Sequence, residues 1–179
     1  MLAKKYFEFL DRHVGPFDRP IQFRPFPFDA GGAVNLLTVG AGRHEFVTYV
    51  SWDLFGHAEQ KIGCIGRYEL LAICDDEQWC LEMLTNIGRF GLQATLNPGD
   101  TLDIGPWVKA SSPLQGVVLE QNFSTEIDGE KCGLLKCIGV SRSELEFADA
   151  HGVSALVEHL KRQLVYPNTI VNRGSVSLT

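Results

Sequence analysis

The side chains able to do chemistry are scattered along this chain and form no recognisable reactive set. Histidines stand at positions 13, 44, 57, 151 and 159. His151 and His159 are eight residues apart, about two helical turns, and share a face only if one helix spans both. Gly152 interrupts that run, so surface or capping roles outweigh metal ligation. Cys64, Cys74, Cys80, Cys132 and Cys137 contain no C-x-x-C pair. Cys132 and Cys137 would point to opposite faces of one strand, which makes them poor co-ligands. Most of these thiols read as small buried hydrophobes. Asp75-Asp76-Glu77 could serve metal or acid–base chemistry, but a predicted helix start explains it more simply as charge offsetting the helix dipole. No G-x-x-x-x-G-K-[ST] loop, G-x-S-x-G elbow or H-E-x-x-H pair occurs. Gly40-x-Gly42 is followed by Glu45 where a dinucleotide fingerprint needs a third glycine. The expectation is a non-enzymatic chain without cofactor or metal. The rival is an unrecognised enzyme using Asp100, His57 or Glu120.

The elements that would position such residues can be read from periodicity. Leu2, Tyr6, Phe9 and Leu10 share one helical face, and Val14-Gly15-Pro16 ends that helix. Residues 16–28 alternate four prolines with Phe17, Phe23, Phe26 and Phe28. This reads as an extended strap over the core, with a polyproline segment as the sharper alternative. Gly31-Gly32 opens a hairpin of strands at 34–39 and 46–52 around a turn at 40–43. Residues 53–66 form a loop, and 68–74 form a central apolar strand. Asp75 is expected to cap the next helix, with Gln78 reaching back. Trp79, Cys80, Met83, Leu84, Ile87 and Phe90 make that helix's stripe. Asn97-Pro98-Gly99-Asp100 is a turn. Strands at 117–120 and 134–140 flank an Asp128-Gly129 hairpin turn. Ser141 and Glu144 form a capping box. Val153, Leu156, Val157, Leu160 and Leu164 mark a last helix, which Pro167 stops. The order predicts one α+β domain over residues 1–167, a mixed, mostly antiparallel sheet flanked by helices, with a tail at 168–179.

Composition narrows the function classes. The 179 residues suit one domain, and 11 phenylalanines argue for a packed core over disorder. The net charge is −6, and the 16 basic residues form no run. A nucleic-acid partner is therefore not expected, because backbone binding needs concentrated positive charge. A basic protein partner is favoured, since complementary fields speed encounter. No apolar stretch approaches roughly 18 residues, so no membrane span is expected. Glu8 and Asp11 interrupt the first segment, which does not read as a signal peptide. The odd cysteine count opposes a disulfide framework, and the reading is cytoplasmic. Oligomeric state is left open.

Several local patterns carry a family resemblance. Arg67-Tyr68-Glu69-Leu70 runs into Trp79 and a helix at 81–90 that ends Asn86-Ile87-Gly88-Arg89-Phe90. Pro98-Gly99-Asp100-Thr101 follows, then LKCIGVSRSEL at 135–145 and the helix at 152–160. In this order the motifs resemble the Suppressor of fused family over about half the chain. The resemblance implies a mixed sheet flanked by helices and no enzymatic activity. The animal member of that family sequesters zinc-finger transcription factors of the Gli type. It clamps an extended peptide between two domains as an added strand, and this chain matches the first of them. Single-domain bacterial relatives are read as immunity proteins against toxins. The resemblance places Phe90 and Leu96 in the peptide groove and gives Asp100 a charge-assisted bond to the peptide. Phe90 stands where the family has a tyrosine. The expected function is a protein-binding domain, in its most concrete form an immunity-type protein that neutralises a toxin. The runner-up is a regulatory scaffold that captures a protein or peptide by strand addition. Asp100→Ala with Leu96→Asp is expected to weaken partner capture while the domain stays folded.

Overall fold

The apolar spacing at the start of the chain closes into helix α1 (Leu2–Val14), which buries Tyr6 and Leu10. The computed structural model describes residues 2–22, 35–39, 45–52 and 54–178. Strand β1 (Arg19–Gln22), within the expected strap, pairs antiparallel with β2 (Asn35–Val39). The ring of Phe17 packs 5.5 Å from that of Phe7. Phe23, Phe26, Phe28, the Gly31-Gly32 pair and the turn at 40–43 lie outside the described residues. Strand β3 (Val47–Trp52) continues the meander into β4 (Arg67–Cys74).

Helix α2 (Glu77–Phe90) follows β4 and leads to the short strand β5 (Thr101–Asp103). A 3-10 turn at Gly105–Trp107 precedes the hairpin of β6 (Gly116–Ile127) and β7 (Glu130–Val140). Helices α3 (Arg142–His151) and α4 (Val153–Arg162) complete the order. The seven strands lie in one sheet, β1-β2-β3-β4-β7-β6-β5. Among the described strands only β4 and β7 pair in parallel, so the sheet is mixed and mostly antiparallel, and the fold is α+β. Strand β4 is the fourth of seven, as its continuous apolar run predicts.

Side-chain alternation along β7 distributes the core. Leu135 and Cys137 face α2 and meet Leu84 and Ile87. On the other face Cys132 and Leu134 pack with Tyr6 and Leu10 of α1. Further along that face Ile138 and Val140 meet Leu145 and Leu156 of the last two helices. Cys132 and Cys137 thus do sit on opposite faces. Between the two helical clusters Lys136 donates to Glu120 at 3.3 Å and to the Tyr166 hydroxyl at 2.9 Å. The β6–β7 hairpin runs well past the 117–120 and 134–140 segments expected from sequence. Its outer half carries polar residues, and its strand character comes from Phe123 and Ile127 packing beside α1.

Three local expectations need correction. Asp76, not Asp75, caps α2, accepting from the Trp79 amide at 2.8 Å. Asp75 instead accepts from the Val171 amide at 2.9 Å, and Gln78 bonds to Glu82 rather than reaching back. Leu164 is not part of the last helix: α4 ends at Arg162, and Leu164 is 88% exposed with φ +58°. The Ser141–Glu144 capping box is present. Gly152, at φ +88°, separates α3 from α4, and the rings of His151 and His159 both lean on Phe147.

Residues 168–178 have no apolar periodicity, yet they lie against the sheet and α3. Thr169 bridges to Cys74 in parallel, and its hydroxyl accepts from the Gly139 amide at 2.9 Å. Arg173 forms two bonds with Glu144, at 2.6 and 2.7 Å, with the two side chains 8% and 0% exposed. The Val176 amide adds a bond of 2.6 Å to the same carboxylate. Burial pushes the Glu144 carboxyl up, but Arg173 and the Val176 and Ser141 amides outweigh it and hold the group below the usual carboxylate range.

Candidate partner-binding groove

Helix α2 ends at Phe90, and a turn at Asn97–Asp100 reverses the chain into β5. Gly99 is required there, since its φ is +92°. The turn is pinned from several sides. The Asn97 amide donates to Asp100 Oδ2 at 2.7 Å, the Cys64 amide donates to Asn97 Oδ1 at 2.8 Å, and the Gly99 amide donates to the Leu119 carbonyl at 2.7 Å. Asp100 is thereby fixed at the mouth of the edge strand with one carboxylate oxygen engaged by backbone.

Among the described strands β5 is the last of the sheet, and it pairs only with β6. The Ile104 amide donates to Gln115 and the Leu119 amide to Asp100, so Leu102 and Val117 also form a bonded pair by ladder alternation. The backbone groups of Thr101 and Asp103 therefore face away from β6, along the free edge. Helix α3 is laced across this strand at both ends. Arg142 grips Asp103 with two bonds of 2.9 Å, and Thr101 donates to Asp149 at 2.6 Å. Arg142, with the Gly105 amide, holds the Asp103 carboxyl below its ordinary range.

An open groove of about 540 Å³ lies along this edge, between the C-terminal ends of α2 and α3. Phe90, Leu96 and Asp100 all line it, so the structure brings together the three residues singled out in the sequence. Their roles differ. Phe90 is half-buried, with its ring 6.3 Å from that of Trp107. Leu96 is only 1% exposed and belongs to the main core. Leu96→Asp would bury a carboxylate, so the paired substitution is expected to destabilise the domain rather than spare the fold. Leu102, Ala148 and Asp149 were missed by sequence reasoning. Nothing local marks Asp149, an exposed helix acid, until α3 folds back onto β5.

The groove contains Asp100 but neither His57 nor Glu120. Glu120 points to the opposite face of the sheet, where Tyr166 donates to it at 2.7 Å. Burial pushes the Cys80 and Cys137 thiols far up and Cys132 up to about 11, so these three are protonated at neutral pH. The Tyr68 phenol, also pushed up by burial, lies beneath the end of α2 against Gly91 with no hydrogen-bond partner among the described residues. What the groove offers is a hydrogen-bonding strand edge, an aromatic face and two carboxylates, Asp100 and Asp149.

These features define an α+β domain of one mixed sheet with an accessible groove at its edge strand. The family model described as Suppressor of fused protein matches residues 33–174, and the chain belongs to that family. The fold is shared with solved structures. The crystal structure of the Sufu–Fu complex superposes with a TM-score of 0.76 at 15% identity, covering 99% of this chain and 92% of that chain. Drosophila Suppressor of Fused superposes with a TM-score of 0.61 at 15% identity, covering 81% of this chain and 42% of that one. No curated protein matches the chain. No described helix is long and apolar enough to cross a membrane.

Proposed function

We propose that this chain is a protein-binding domain that captures an extended polypeptide segment as an added strand on β5. The carrying observation is the free edge itself: the backbone of Thr101 and Asp103 faces outward between the ends of α2 and α3. Main-chain bonding to such an edge supplies affinity, and side-chain subsites supply specificity. Phe90 offers an apolar face, and Asp100 has one carboxylate oxygen beyond the Asn97 amide. The domain acts by occupying its partner and not by turnover. Turnover of a small molecule by the purified chain, abolished by changing a single acid or histidine, would overturn that part.

A narrower version is an immunity-type protein that binds and neutralises a basic toxin. Its support is the net charge of −6, which favours encounter with a positively charged surface. The free cysteines, four of them buried, support a reducing cytoplasmic setting.

The test uses a displayed library of random extended peptides, selected on the immobilised chain. Recovered peptides are compared on wild type, Thr101→Val and Thr101→Pro. Proline removes the outward amide of Thr101 while the bonded Leu102–Val117 pair remains. Proline also removes the hydroxyl bond to Asp149, so Thr101→Val, which loses that bond but keeps the outward amide, is the reference. The expected result is a loss of about tenfold or more in affinity for Thr101→Pro relative to Thr101→Val. Equal affinity for these two variants, or no recovered peptide, removes strand addition.

A further inference from the structure

A second cleft, of about 440 Å³, lies at the other end of α2, where the loop after β5 folds over the helix. Trp79 and Glu82 wall it from the helix, and Trp107 and Val108 from the loop. The Trp107 ring stands 6.3 Å from Phe90, which lines the groove already described, so the two hollows share a wall. Strand β5 heads from Asp100 toward this cleft, because the chain after Asp103 turns directly into Gly105–Trp107.

The cleft is rigid on its inner side. A Cβ at Gly139 would meet the tip of the Trp79 ring at 2.9 Å, so the indole is wedged against β7 and cannot retreat. Two carboxylates, Asp76 and Glu82, line the cleft, against one basic residue, Lys109. Asp76 Oδ1 is occupied by the Trp79 amide and Glu82 Oε1 by Gln78, and each group has a second oxygen. Aromatic faces beside carboxylates suit a planar cation, which stacks on indole and takes paired hydrogen bonds from its fork. The chain's net charge of −6 adds attraction from a distance.

We propose that this cleft is a subsite for an arginine side chain of the partner polypeptide, carried by the same segment that lies on β5. The distance along α2 from Phe90 to Trp79 corresponds to roughly five extended residues. The arginine therefore lies about that far along the segment from the residue facing Asp100. The route of the chain rests on the strand-addition reading; the chemistry of the cleft does not.

The test reads the cleft alone. The full chain, labelled with nitrogen-15, is titrated with acetyl-Gly-Arg-Gly-amide, and the indole N–H signals are followed. Trp52, which packs on the opposite face with Phe7, serves as internal control. Trp79 and Trp107 are expected to shift saturably while Trp52 stays still. Affinity is expected to drop at least about fivefold in Glu82→Gln and for the peptide carrying uncharged citrulline. The exposed Glu126→Gln on the β6–β7 hairpin is expected to match wild type. Glu82 is exposed, so its substitution leaves the fold intact. Absence of saturable shifts, or equal affinity for citrulline or for Glu82→Gln, overturns the subsite. The Thr101→Pro comparison reads β5 separately, so either result can fail without the other.

Discussion

At Glu144 one carboxylate collects four hydrogen bonds: two from Arg173, one from the Val176 amide and one from the Ser141 amide. At Asp100 the same chemical group receives one among the described residues, from the Asn97 amide. The first site is buried and closes the C-terminal segment onto α3. The second sits at an open edge where outward backbone groups also await partners. Saturated polar groups fasten this fold to itself; on the proposed reading, an unsaturated one at an exposed strand edge is what a partner segment would engage.

The sharpest way to break this contrast is to remove one half of the closed pair. Arg173→Met leaves Glu144 buried without its cation, a loss expected to cost about 3–5 kcal/mol. A thermal melt should fall by roughly 10 °C, and a change under about 1 kcal/mol would erase the distinction between the two sites. The same pair fixes a pH dependence. The folded Glu144 carboxyl lies below its unfolded value, so its contribution is complete above the unfolded pKa of about 4.3. It is lost as pH falls through the folded pKa. Urea melts of wild type and Glu144→Gln should therefore differ at neutral pH and converge in acid. A constant gap across that range would show that the charge is not what holds the segment.

The two regions were unequally legible in the sequence. The Ser141–Glu144 capping box could be read because its bonds are local. Arg173 could not, since its partner is 29 residues away and residues 168–178 carry no periodicity; only the folded sheet brings them to α3. The long hairpin was read short because its outer half is polar and owes its pairing to α1. In the groove, Phe90 and Asp100 were legible through family motifs and turn chemistry. Leu96 was placed at the groove by the family resemblance; it does line the groove, but burial packs its side chain into the core. Asp149 was invisible because its role depends on α3 crossing an edge strand of only 3 residues.

A smaller effect tests the joint between α4 and the closed segment. Leu164 holds φ +58° with its side chain in solvent, a conformation that favours glycine. Leu164→Gly should stabilise the chain by about 0.5–1 kcal/mol, read as a higher urea midpoint with an unchanged slope. A loss of stability would mean that the leucine makes contacts that exceed its backbone strain.

The smallest effect on stability is expected at Asp100, and there the contrast is most exposed to refutation. Asp100→Asn keeps an acceptor for the Asn97 amide and removes only the charge. The turn should persist, and stability should stay within about 0.5 kcal/mol, a melting shift of roughly 2 °C or less. Capture of a basic partner segment should nevertheless weaken, because the lost charge faces the groove. If Asp100→Asn instead lowered the melting temperature as much as Arg173→Met, the carboxylate would belong to the fold. An open edge groove would then be a by-product of how β5 terminates the sheet.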